Sequence, residues 1–99
     1  MDTDKNKILL EIMRFCKANN MDSYYELKAY AYDHDKDDWL EIMNNRRSRT
    51  PLRYYLKSLH KRNGKPYELT MYEAMEKVCA AEERYQQRHA EQGREQWNV

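Results

Sequence analysis

The chain has 99 residues, 18 Lys+Arg against 17 Asp+Glu for a formal net charge of +1, only two Gly and two Pro, and a mean hydropathy of −1.22. This length bounds one compact domain. Gly and Pro are too scarce for the many turns of a sandwich or barrel, and no apolar run approaches the length of a membrane span or secretory leader. Leu, Ile, Val and Phe number only 14, but nine Tyr, two Trp and six Met supply the missing apolar mass. The expectation is an all-α chain, a small irregular bundle of about five helices.

The first apolar pattern, Ile8, Leu9, Ile12, Met13, Phe15 and Cys16, falls on one side of a helix over 4–19, with Asp4 as N-cap and Asn19-Asn20 as its end. Ser23 and Glu26 form a capping box, in which each side chain can satisfy a free backbone N–H of the other's turn, and open a second helix over 23–33. The stretch Asp33-His34-Asp35-Lys36-Asp37-Asp38 is too polar and self-repelling to continue it. Its last Asp residues suit the start of a third helix, over 37–46, that buries Trp39, Leu40, Ile42 and Met43.

Thr50-Pro51 reads as a hydroxyl cap followed by a proline at the first helical position, opening a fourth helix over 51–62 with an inner stripe of Leu52, Tyr55, Leu56 and Leu59. Asn63-Gly64 ends it, after His60, Lys61 and Arg62 in the last turn. Thr70 and Glu73 form a second capping box, and Leu69 can staple against Ala74. The last helix then spans 71–90 with Met71, Ala74, Met75, Val78, Cys79, Glu82 and Tyr85 inward. Residues 1–92 form the domain and 93–99, with Trp97, a frayed tail. Cys16 and Cys79 both fall on faces read as apolar, so free buried thiols in a reducing cytoplasm are expected.

The neutral total hides a segregation. Residues 1–43 carry 6 basic and 10 acidic groups, 44–66 carry 8 and none, and 67–99 carry 4 and 7. The basic island holds Arg46, Arg47, Arg49, Arg53, Lys57, Lys61, Arg62 and Lys65. Arg53, Lys57 and Lys61 recur every four residues, which stacks like charges in one row unless something anionic lies against them. Tyr54 lies on the same outward side, where it can stack on an unpaired base. The island either attracts an anionic partner or folds against its own acidic neighbours, above all Asp33–Asp38.

Other chemistry finds little support. Asp33, Asp35 and Asp37 imitate a calcium loop, but Asp38 replaces the glycine of its sixth position and Asn44 the bidentate Glu of its twelfth. His34, His60 and His89 are dispersed, without the spacing of a zinc site. A helix-turn-helix reader at Tyr24–Tyr32 carries no Arg, which argues against operator recognition. There is no Gly-rich phosphate loop or nucleophile elbow, so no enzyme and no cofactor are expected. The leading expectation is a cytoplasmic binding protein that uses Arg46, Arg47, Arg49, Arg53, Tyr54, Lys57, Lys61, Arg62 and Lys65 to engage nucleic acid or a protein of a nucleic-acid-processing complex. One alternative is a regulator or inhibitor, of the kind a phage or other mobile element encodes, that binds a host enzyme through Tyr and Arg. A second is self-association through the C-terminal helix and Trp97.

Overall fold

The computed structural model describes the backbone of residues 2–63 and 71–97 and the side chains of 4–62 and 72–90. Five helices occupy them: α1 (Asp2–Ala18), α2 (Tyr24–Asp33), α3 (Asp37–Asn44), α4 (Arg46–Asn63) and α5 (Met71–Trp97). Among the described residues there is no strand, and the chain is an all-α bundle. Short α3 sits at the centre against α1, α2 and α4, α1 also packs on α4, and α5 lies along α2.

The core follows the apolar spacing of the sequence. Ile12 and Cys16 of α1, Leu27 and Ala31 of α2, Leu52, Leu56 and Leu59 of α4, and all four apolar residues of α3 are buried. Each large side chain of this set contributes about 1.5–3 kcal/mol by leaving water. Phe15 bridges the aromatic residues, its ring centroid 4.8 Å from Tyr30 and 5.1 Å, edge-on, from Trp39. The Tyr24 hydroxyl donates to the Met43 carbonyl at 3.0 Å, satisfying one of the last acceptors of α3.

With so little glycine, two other residues supply the left-handed turns that end helices. Asn20 (φ 52°) follows α1 and Asp35 (φ 51°) follows α2. In each case the next residue's N–H reaches back five positions, Met21 to Cys16 at 2.9 Å and Lys36 to Ala31 at 2.9 Å. This is the Schellman closure, and Asn and Asp are the residues that tolerate its left-handed position best after Gly. At the other end of α2, Ser23 accepts from the Glu26 N–H at 3.4 Å, while the Glu26 carboxylate turns to Lys77 of α5, 3.8 Å away.

Several expected boundaries are corrected. The first helix begins at Asp2, so Asp4 lies inside it rather than capping it. The third ends at Asn44, and the fourth begins at Arg46 rather than Pro51. Asn45 is the stronger cap: its Oδ1 accepts from the N–H groups of Arg47 (3.0 Å) and Ser48 (3.3 Å), and its carbonyl accepts from Arg49 (2.9 Å). Thr50 instead donates its hydroxyl to the Arg46 carbonyl at 2.8 Å. Pro51 is tolerated in the second turn because it faces solvent, where water can reach the carbonyl its missing N–H leaves open.

The inner stripe of α5 is also rotated from expectation. Ala74 and Ala81 are buried and Val78 and Tyr85 pack against the core, whereas Met75 (52% exposed) and Cys79 face outward. Glu26 and Asp33 of α2 both pair with α5, which places buried Ala29 between them on the same side. Small residues on both helices let the backbones approach, and the neighbouring α5 face is left uncovered. α5 runs on past the expected end at 90 to Trp97. The second capping box, the Leu69 staple and the Gly64 stop lie outside the described residues, as does the side chain of Trp97.

Candidate functional site

α4 turns its leucines into the bundle and so fixes what points out. At 100° per residue, Arg46, Thr50, Arg53, Lys57 and Lys61 form one row, with Arg47, Tyr54, Ser58 and Arg62 beside it. All nine are exposed. The row from Arg46 to Lys61 extends about 22 Å at 1.5 Å per residue. Tyr54, 69% exposed, stands near its middle, with Arg47 and Lys61 each two turns away and Lys57 one turn away. No ring contact or hydrogen bond holds Tyr54 among the described residues.

Arg53 is positioned rather than merely exposed. Its guanidinium carbon lies 5.1 Å from the centroid of the Tyr24 ring, and Tyr24 is itself anchored through its hydroxyl to α3. Cation–π contact of this kind contributes about 0.5–1 kcal/mol at an exposed site and narrows the rotamers of the arginine. Burial pushes the Tyr24 hydroxyl above its ordinary pKa, an effect that the charges of Arg49 and Arg53 oppose.

Among the described residues no carboxylate lies within 4 Å of the charged nitrogens of Arg46, Arg47, Arg49, Arg53, Lys57, Lys61 or Arg62. The acidic turn after α2, the obvious internal partner, is occupied by α5. Arg84 grips Asp33 with two hydrogen bonds, 2.8 and 3.0 Å. Arg88 donates to the Tyr32 carbonyl at 2.7 Å and to Asp35 at 3.2 Å. His89 Nε2 is also 3.2 Å from Asp35, and the Tyr85 hydroxyl donates to Asp37 at 2.7 Å. The hydrogen bonds from Arg84 and Arg88 hold the Asp33 and Asp35 carboxyls below their usual range.

The N-terminus of α4 also works against its own dipole. Its first turn holds Arg46 and Arg47 and no acid, where each cation costs about 0.3–1 kcal/mol. Arg46 and Arg47 border an open depression of about 830 Å³ that Lys5 of α1 also lines. At the C-terminal end, His60 turns inward, with Nδ1 3.2 Å from Asp22, instead of serving the helix dipole alone.

The residues expected at the site therefore divide. Arg46, Arg47, Arg53, Tyr54, Lys57, Lys61 and Arg62 share the outer side, Arg49 is half-buried on the edge towards α2, and Lys65 lies outside the described residues. Sequence reasoning missed Lys5, which sits 41 positions before Arg46 and shares the depression with it only through the packing of α1 on α4. It also missed Tyr24, whose support of Arg53 carries no local signal. No protein-family model, curated protein or solved structure matches the chain.

Proposed function

We propose that the protein is a non-catalytic binding protein whose α4 outer face holds nucleic acid by its phosphates. The observation that carries this reading is the unbalanced face: an exposed row of cations without carboxylate partners among the described residues, while the acidic turn nearest in sequence is bound by α5. Phosphates would relieve the repulsion along the row, and released counterions would drive the association. Among the described residues no helix is long and apolar enough to cross a membrane. We place the protein in a reducing, cytoplasmic setting on its two free thiols.

Binding of the full chain to labelled single- and double-stranded oligonucleotides, followed by fluorescence anisotropy as salt rises, tests the proposal. With about five phosphate contacts, affinity should fall about 100-fold for a single strand and about 500-fold for a duplex between roughly 50 and 200 mM salt. Charge reversal at Arg53→Glu and Lys57→Glu together should abolish it. Absence of binding to both forms at low salt, or binding indifferent to salt, would reject the proposal. Capture of an acidic protein that survives nuclease treatment and needs the same two cations would instead assign the face to a protein partner.

A further inference from the structure

We infer that the nucleic acid held by α4 is single-stranded, with Tyr54 as the platform on which an unpaired base stacks; this rests on the phosphate-binding reading of the face. Tyr54 is 69% exposed, and no ring or polar partner holds it among the described residues. Phe15, Tyr24, Tyr25, Tyr30, Tyr32 and Tyr85 all lie against another aromatic ring. A surface that only neutralises phosphates gains nothing from an uncovered ring at its centre. Unpaired bases stack on such a ring for about 1–3 kcal/mol each, without regard to sequence.

The layout around the ring suits one strand. Arg47 and Lys61 lie about 10 Å from Tyr54 along the axis in opposite directions, so a backbone running along α4 meets cations on both sides of the stacked base. Arg53, one residue away and held over Tyr24 at 5.1 Å, offers a second planar, positioned cation. A duplex presents the ring with base pairs already stacked, and prising a step apart costs a few kcal/mol. The outer face also lacks Asn and Gln, the residues that read adenine edges in a major groove.

Tyr72 provides an internal control. It is as exposed as Tyr54, at 72%, but stands on α5 beside Glu73 and close to Glu76 rather than among cations.

The test uses the full chain and mixed-sequence DNA and RNA strands of about 15 nucleotides, alone and annealed to their complements, at low salt. Single strands should bind more tightly than duplexes. Tyr54→Ala should weaken single-strand binding by about 5- to 100-fold and leave duplex binding unchanged, whereas Tyr54→Phe and Tyr72→Ala should behave as the parent chain. If Tyr54→Ala loses its helical circular dichroism, Tyr54→Leu, which keeps bulk without a stacking face, replaces it. Equal binding of both forms, or a Tyr54→Ala chain that binds single strands as well as the parent, would overturn the inference and leave the phosphate-binding reading standing. No binding to either form overturns both.

Discussion

At the residue scale, the start of α4 shows what local signals decide. Thr50-Pro51 is a sound start signal in isolation, yet Asn45 competes for the same helix and satisfies two N–H groups with its side chain. The longer helix wins because it adds a turn and because Pro51 faces water. Asn45→Ala should therefore cost about 1 kcal/mol of stability in urea unfolding, and Thr50→Val well under that. The opposite ranking would restore the cap to Thr50.

The two thiols separate equally sharply. Burial pushes Cys16 up to about 12, whereas Cys79 is exposed on α5. A thiol reagent at neutral pH should modify Cys79 at once and Cys16 only as fast as the chain unfolds. Two equally fast thiols would contradict the packing of α1. Cys16 was legible because its neighbours Ile12 and Met13 share its stripe. Cys79 was not, because a helix of alternating small and medium side chains offers two faces of similar hydropathy.

At the scale of elements, that ambiguity was resolved by the partner helix. α2 and α5 bring buried Ala29 and Ala81 into the common core, residues too small to announce an interface in sequence, and are joined by the clasp on the acidic turn. Ala81 is fully buried, so Ala81→Leu should overpack the contact and cost about 1–3 kcal/mol. The clasp adds less. Its ion pairs are largely exposed, so solvent screens them.

The clasp also fixes the sign of a pH effect. Asp33 and Asp35 have folded pKa values held below those of the unfolded chain, Asp33 by its hydrogen bond to Arg84 and Asp35 by those to Arg88 and His89. Their contribution is present above the usual carboxylate range and is lost as pH falls through the lower folded values. Asp33→Asn should flatten the acid limb of stability against pH without altering the neutral plateau's shape. The repulsive run Asp33–Asp38 was legible as a helix break. Its neutralisation by residues some fifty positions later was not, since no local pattern links Asp33 to Arg84.

At the scale of the molecule, the radius of gyration is 15.1 Å and the long axis 53 Å, against about 13 Å for a compact chain of 100 residues. α5 accounts for the excess: its 27 residues extend about 40 Å at 1.5 Å per residue and run past the much shorter α2. The net charge of +1 describes none of this geometry. The acidic turn and the cations of α5 cancel at one contact, and the cations of α4 lie on another surface without a carboxylate partner among the described residues. The helical class, the five elements and the basic island were all readable from spacing. Which charges would meet was decided by tertiary packing alone.

The salt dependence of a charge-neutralised chain tests the open cationic face most directly. For a single strand, each phosphate contact contributes about −0.7 to the slope of log affinity against log salt. Replacing Arg53 and Lys57 together by Gln should therefore make the slope shallower by about 1.4, with helical content unchanged. A parent slope preserved in the double variant would show that nucleic acid binds elsewhere, and would contradict the account of α4.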